Sequence, residues 1–244
     1  MVPFSFTPLG FHGQEFALGG SRALYWVEES ALLVADLHLE KASFFARHGQ
    51  MLPPYDSRAT LQRLADALRT CGARRVFCLG DSFHDADGAG RLEPHAAGML
   101  DALTRAVDWV WITGNHDEDA AAPGGTLVDE LRIGSVALRH IARANAVQHA
   151  AEGAEISGHF HPKLRVRVKG RSIARACAVA SENRLILPAF GVLTGGMDAT
   201  DPAILGALQP ARTIDAIVPA GERLARFALW RDGAHTGSTT DNAA

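Results

Sequence analysis

Three uninterrupted apolar runs punctuate the first half of the chain, and each stops at a polar motif. Residues 31–35, Ala-Leu-Leu-Val-Ala, stop at Asp36. Residues 76–79, Val-Phe-Cys-Leu, stop at Gly80-Asp81, and residues 109–112, Trp-Val-Trp-Ile, stop near Gly114-Asn115. Short continuous runs predict strands buried on both faces, as in a sheet covered by helices. The gaps between them leave room for crossover helices. Residues 57–70 fit one, starting at Ser57, with Leu61, Leu64 and Leu68 on one stripe. Residues 93–106 fit a second, with Pro94 near its start.

The second half changes rhythm. Segments 131–139, 155–158, 164–168, 173–180 and 185–190 are short and β-rich, with Gly134 and Gly170 at or near breaks. They predict a second sheet. Residues 11–29 alternate weakly and predict an edge hairpin, and residues 224–230 predict a closing strand. The fold class is therefore α/β, a two-sheet β-sandwich flanked by helices in the order α-β-β-α. With no internal repeat and no Pro-rich linker, residues 1–232 read as one domain. Residues 233–244, rich in Thr, Gly, Asn and Ala, read as a disordered tail.

The polar motifs carry the candidate chemistry. In order they are Asp36-Leu37-His38, Gly80-Asp81, Gly114-Asn115-His116-Asp117, His140 and Gly158-His159-Phe160-His161. Those that follow apolar runs sit at the carboxyl ends of strands, where α/β sheets place ligand sites. Aspartate, asparagine and histidine form a mixed oxygen and nitrogen ligand set for first-row divalent ions, and there are enough of them for two. Asp36 and His38 can aim the same way if the backbone stays extended. Gly80 permits a tight turn before Asp81, whose two oxygens make it the candidate bridge. Asn115 can offer its carbonyl oxygen. Alternation at a strand end would put His159 and His161 on one side of Phe160. His140 follows the apolar stretch Ser135–Leu138, whereas its rival His149 lies in an Ala-rich segment with no strand leading to it.

The ordered motif set resembles the calcineurin-like metallophosphoesterase superfamily, over roughly the first three quarters of the chain. Leu187-Pro188-Ala189-Phe190-Gly191, Thr194-Gly195-Gly196 and Gly80-Asp81-Ser82-Phe83-His84 resemble one subfamily, the bacterial ligase-associated PdeM-type phosphoesterases of the DNA damage response. The resemblance implies a metallophosphoesterase-type sandwich and a di-metal phosphodiesterase or endonuclease acting on nucleic acid in repair. It implies one ion on Asp36, His38, Asp81 and His161, and a second on Asp81, Asn115, His140 and His159. Manganese is the expected metal for such ligands, with iron or zinc as alternatives. A hydroxide bridging the ions is the expected nucleophile, because metal binding lowers the pKa of water from about 16 toward 7. His116 is expected to face the substrate, steady the phosphoryl oxygens and protonate the leaving oxygen. Some relatives pair this histidine with an aspartate three residues after the bridging one. Here that place is His84, with Asp85 one later, so His84 is expected either to hold His116 or to touch substrate. Functional association with a DNA ligase and a helicase follows from the subfamily alone.

Composition narrows this picture. The 244 residues are 47% apolar, enough for a proper core. Net charge is −3, so a nucleic-acid substrate needs a local basic patch. Lys163-Leu164-Arg165-Val166-Arg167-Val168-Lys169-Gly170-Arg171 offers one. Its period of two puts Lys163, Arg165 and Arg167 on one face, with Leu164, Val166 and Val168 toward the core. Arg165 and Arg167, with Asn115, are the candidate substrate contacts, although an ordinary solvated strand reads the same way. Arg47 and His48 fit either a loop over the cleft or a solvated helix end. Cys71, Cys78 and Cys177 form no disulfide framework and point to a reducing compartment. Without a signal-peptide pattern or a membrane-length apolar run, a cytoplasmic location is expected. Two rivals remain: a phosphatase or diesterase for small phosphate esters or nucleotides, and a metal-free protein-binding scaffold.

Overall fold

In the computed structural model of the chain, residues 5–116, 123–143, 153–168 and 170–233 are described. Asp117, His149, Lys169, the side chain of Val168 and the tail 234–244 lie outside the described residues.

The chain begins with β1 (Phe6–Phe11), β2 (Gln14–Gly19) and β3 (Leu24–Trp26), a meander rather than the single hairpin expected over 11–29. The first apolar run forms β4 (Ala31–Val34), followed by helices α1 (Lys41–Arg47) and α2 (Asp56–Cys71). Arg47 thus ends a helix. The second run is β5 (Arg75–Leu79), followed by one turn, α3 (Gly88–Arg91), and by α4 (Pro94–Ala106). At the start of α4 the Glu93 carboxylate accepts the backbone N–H groups of His95 and Ala96, with Pro94 in the first turn. The third run is β6 (Asp108–Ile112), and β7 (Thr126–Val128) completes the sheet, whose order is β1-β2-β3-β4-β5-β6-β7. Pairing is antiparallel from β1 to β4 and parallel from β4 to β7.

The second half supplies β8 (Leu131–Ile133), β9 (Val136–Leu138), β10 (Ala154–Ser157), the hairpin β11 (Lys163–Val168) with β12 (Arg171–Ala176), then β13 (Ala178–Ala180) and β14 (Arg184–Ile186). The expected strand 173–180 is two. It breaks at Cys177, whose N–H turns to the Pro162 carbonyl 3.1 Å away. After α5 (Pro202–Ala207) the chain closes with β15 (Thr213–Ala220) and β16 (Arg223–Arg231). The second sheet runs β16-β15-β13-β14-β10-β9-β8, with β9, β10 and β14 parallel.

Alternation along the strands builds three cores. Leu33, Ala35, Phe77, Leu79 and Ile112 pack between the sheets against Leu138, Ile156, Leu185 and Leu187. Leu32, Val34, Val76 and Cys78 turn outward, onto Leu61, Leu64 and Leu68 of α2 and Leu100 of α4. On the far face of the second sheet, Val179, Ile186 and Ile214 are covered by Ile204, Leu208 and Leu164 of the hairpin. Helices and hairpin therefore flank two stacked sheets. The carboxyl ends of β4, β5 and β6 open on the same rim as those of β9 and β10. Among the described residues no helix is long and apolar enough to cross a membrane.

Candidate metal centre

The motif residues meet where the two sheets share that rim. Two donor groups form there: Asp36, His38 and His161, and Asp81, His140 and His159, each with its donor atoms within 4.8 Å of one another. Within the first, His38 Nε2 lies 3.2 Å from His161 Nε2, and His161 Nε2 lies 3.4 Å from Asp36 Oδ1. In the second, His140 Nε2 is 3.2 Å from His159 Nδ1, 3.4 Å from Asp81 Oδ1 and 3.0 Å from Asn115 Oδ1. Asp81 lies between the groups. Its Oδ1 faces His140, while its Oδ2 is 3.8 Å from His38 Nε2 and 4.0 Å from His116 Nε2.

Backbone geometry, not strand alternation, aims these side chains. Asp36, His38, Asp81, His159 and His161 all have φ between 44° and 75°. The extended conformation expected at Asp36–His38 and at His159–His161 is replaced by left-handed residues. Such conformations are costly without glycine and persist only where surrounding contacts fix them. Those contacts are present. The N–H groups of Asp36, His38 and Leu39 bond the carbonyls of Gly80, Asp81 and Ser82, which zips the loops after β4 and β5 together. Asp36 accepts the His159 N–H through both oxygens, at 3.1 and 3.0 Å, and Asp81 Oδ1 accepts the His116 N–H at 3.0 Å. Downstream, Glu40 is braced by Ser57, which accepts its N–H and donates to its carboxylate, both at 2.8 Å. Two glycines are required for space. A Cβ at Gly80 (φ 75°) would stand 2.6 Å from the His140 Cβ and closer still to its ring, and one at Gly158 would stand 2.9 Å from Asp36 Oδ2.

Some contributions left no trace in side-chain chemistry. His140 Nδ1 lies 2.9 Å from the Leu79 carbonyl, to which it donates, so Nε2 presents its lone pair to the second group. His116 Nδ1 lies 3.0 Å from the His84 carbonyl. The partner of His116 is thus the main chain of His84. The His84 ring stacks on His116 with centroids 5.2 Å apart, and Asp85 is bonded to Arg91 instead. The Leu187–Gly191 stretch also finds its role. Phe190 and Gly191 donate their N–H groups to the carbonyls of Ala35 and Asp36, while Arg22 bonds the carbonyls of Ala189 and Gly191 and Arg63 that of Phe190. It clamps the Asp36 loop from behind.

Electrostatics favour cations in this cluster. Asp36 and Asp81 are almost wholly buried. Burial raises the Asp81 carboxyl, but the His140 imidazole, the His116 N–H and His38 outweigh it and hold it well below the usual carboxylate range. Burial, then His161, brings the His38 imidazole down to about 2, so it is neutral and offers a lone pair. His159 is lowered by burial and then by His140. For His140 burial lowers the pKa, yet the bond to Asp81 and the charge of Asp36 outweigh it and raise it. Lone pairs of His140, Asn115 and Asp81 converge within 3.4 Å, which calls for a proton or a cation among them. The donors are all oxygen and nitrogen, the set that suits divalent first-row ions. The residues fit two divalent cations.

Of the remaining expected residues, Arg165 and Arg167 are exposed on β11, with Leu164 buried on its other face. Arg165 lies 3.3 Å from Asp198, and the Lys163 ammonium bonds the Thr194 carbonyl at 3.3 Å. Neither arginine is part of the donor groups.

No protein-family model matches the chain, and no curated protein matches it. Among solved structures, the nuclease MPE of Pseudomonas putida is similar, at 28% identity and a TM-score of 0.68, over 91% of this chain and 100% of that one. Yfce, a phosphoesterase from E. coli, is 13% identical over 82% of this chain and 98% of its own, with a TM-score of 0.37. Vps29 from Entamoeba histolytica, complexed with zinc, is 15% identical over 82% and 98%, at 0.35. The last two likenesses are too weak to carry an argument. Two stacked sheets with paired donor groups at their common rim, together with the likeness to the Pseudomonas nuclease, give this chain a metallophosphoesterase-type fold.

Proposed function

We propose that the chain is a di-metal phosphodiesterase acting on nucleic acid, in the manner of a nuclease. The observation that carries the reading is Asp81, one buried carboxylate whose two oxygens face two separate donor groups. In this reading Asp36, His38, Asp81 and His161 hold one ion and Asp81, Asn115, His140 and His159 the other. Bound there, the ions supply an activated water near neutral pH and polarise the phosphoryl oxygens. The protein's own groups do the rest. Asp36 and Asp81 place negative charge where no solvent screens it. The Leu79 carbonyl fixes the His140 tautomer.

His116 stands at the mouth, its side chain 42% exposed, with Nδ1 donating to the His84 carbonyl. Its Nε2 is then free to face substrate. Carrying a proton there, it stabilises charge on the phosphoryl oxygens and donates to the departing oxygen. His84 lies beneath it as a neutral ring, since burial, then Lys41 and His116, brings it down to about 4. A role in DNA repair, with a ligase and a helicase as functional partners, is supported by the subfamily resemblance alone. The nuclease activity of the Pseudomonas putida protein supports a polynucleotide substrate.

The test compares a small chromogenic diester with single-stranded and duplex DNA and RNA, in manganese and after exhaustive chelation. Metal-dependent cleavage of a polynucleotide supports the reading. Hydrolysis confined to the small diester moves it to small phosphate esters or nucleotides, and absence of both metal and turnover would leave a scaffold. In the same assay Arg165→Ala with Arg167→Ala should weaken oligonucleotide binding. The slope of log K against log salt should fall by roughly one to two units, about 0.7–0.9 per lost phosphate contact. An unchanged slope returns that strand to an ordinary solvated face.

A further inference from the structure

Behind the metal centre, on the Asp36 side, cations gather without acids to answer them. The turn between β2 and β3 carries Arg22, and it lies at the same rim as Asp36 because β3 runs antiparallel to β4. Arg22, Arg63, Lys163 and Arg175 bond only main-chain carbonyls: those of Ala189 and Gly191, Phe190, Thr194 and Ala174. Among the described residues no carboxylate pairs with any of them. Arg22 lies within electrostatic reach of both Arg63 and Lys163, and Lys163 of Arg165. A guanidinium has five N–H donors, and Arg22 engages carbonyls through one nitrogen only. Uncompensated, mutually repelling cations destabilise a fold unless an anion joins them.

The shape fits such an anion. Between the β2–β3 turn and β12 lies a concavity of about 280 Å³, with Arg22 and Arg175 on its walls. The rest of its lining mixes small residues, Gly19, Gly20, Ala174 and Ala176 among them, with the apolar Leu18, Pro188, Val218 and Pro219. Ala174 and Ala176 stand opposite Arg165 and Lys163 in the hairpin register and share their face of the β11–β12 ribbon, while Arg175, opposite Leu164, reaches the groove from the other face. Through Ala174 and Ala176 the groove borders the basic face that begins at Lys163, two positions after His161. Two arginines over a partly apolar lining suit a sugar–phosphate backbone, its phosphates on the guanidinium groups and its sugars on the apolar surface. A volume near the lower limit for ligand clefts suits one strand and not two.

We infer that this groove binds backbone phosphates of a single-stranded nucleic acid whose scissile phosphate lies at the metal centre, so that the strand runs past His161 and Lys163 toward Arg22 and Arg175. The inference rests on the polynucleotide reading of the function. It adds a direction for the strand and two contacts, Arg22 and Arg175, that lie outside the Arg165–Arg167 pair.

The test uses fluorescence anisotropy on the full chain with single-stranded oligonucleotides of increasing length, across a salt series. The variants are Arg175→Glu and Arg22→Ala, with Arg105→Glu as control. Arg105 sits at the end of α4, on the opposite rim, and its reversal changes net charge equally. Arg175 is exposed and its one hydrogen bond is to a neighbouring carbonyl, so its replacement leaves the fold intact where Arg22→Ala could loosen the clamp on Ala189. Arg175→Glu should weaken binding of a 12-mer several-fold more than Arg105→Glu does. It should also flatten the salt slope by about one unit, as expected for a lost phosphate contact. A dinucleotide, which does not reach the groove, should be insensitive. If Arg175→Glu matches the control at every length, the groove is not a phosphate track. If a mononucleotide fills the groove as tightly as the 12-mer, it is an isolated anion site and the strand path is wrong. Failure of the parent protein to bind any oligonucleotide would overturn the polynucleotide reading itself, and the groove with it.

Discussion

Replacing Gly80 by alanine should separate the two donor groups experimentally. Gly80 sits at φ 75°, and a Cβ there would collide with the His140 imidazole. An alanine in the left-handed region costs about 1–2 kcal/mol. Pushing His140 aside also breaks its bond to the Leu79 carbonyl, worth ~1 kcal/mol net. The metal-free variant should lose about 2–3 kcal/mol. At roughly 2–4 °C per kcal/mol for a chain of this size, its Tm should fall by about 4–12 °C. Because His140 belongs to the second group and not to the first, the effect on metal should be asymmetric. Losing the contact that orients a ligating histidine typically lowers affinity about 10–100-fold. Titration calorimetry with manganese should therefore show one site near parent affinity and one weakened by that factor. Two sites of parent affinity, with a Tm unchanged within about a degree, would refute both the collision and the assignment of His140.

Chelation should abolish hydrolysis, and Asp81→Asn should be the most damaging single ligand change because Asp81 faces both groups; greater damage from Asp36→Asn, measured by kcat and metal content, would remove the bridge. His116→Ala should retain both metals yet lose about 10²–10⁴-fold in turnover, less for diesters with good leaving groups; an equal loss across leaving groups would assign it charge stabilisation alone. Thiol labelling of the native chain at pH 8 should modify Cys71 slowly and Cys177 not at all, since burial pushes the Cys177 thiol up to about 12; rapid Cys177 labelling would show that the split between β12 and β13 opens in solution.

Legibility from sequence followed the strength of local patterns. The three apolar runs became β4, β5 and β6 within a residue, and the helices at 57–70 and 93–106 became α2 and α4, because continuous burial and a capped amphipathic stripe are local signals. β15 and α5 went unseen. β15 includes Asp215 and Pro219 within its eight residues, which blurs a period of two, and α5 is only six residues long. The donor residues were legible as a set because their chemistry is unusual in combination. Their geometry was not. Left-handed backbone at Asp36, His38, His159 and His161 is enforced by hydrogen bonds from distant segments, and nothing within a window of sequence announces it. The same holds for the carbonyls of Leu79 and His84, since every residue carries one. Arg22 and Arg63 read as ordinary surface cations until Ala189, Phe190 and Gly191 come to rest against them.

One consequence lies in the connectivity of the centre. His38 and His161 stand 123 positions apart along the chain yet 3.2 Å apart in space, and the two come from loops of different sheets. Each donor group likewise draws on both: Asp36 and His38 with His161, Asp81 with His140 and His159. The centre cannot exist in either half alone and assembles only once the sheets have stacked. Contacts of such long range form late, after the loop-closure cost has been met. Any cation held there is linked to sheet docking, so its binding free energy adds directly to the cohesion of the sandwich. Metal occupancy is then a gauge of tertiary integrity: slippage of one sheet against the other releases the ions before either sheet unravels, and catalysis stops while the secondary structure is still whole.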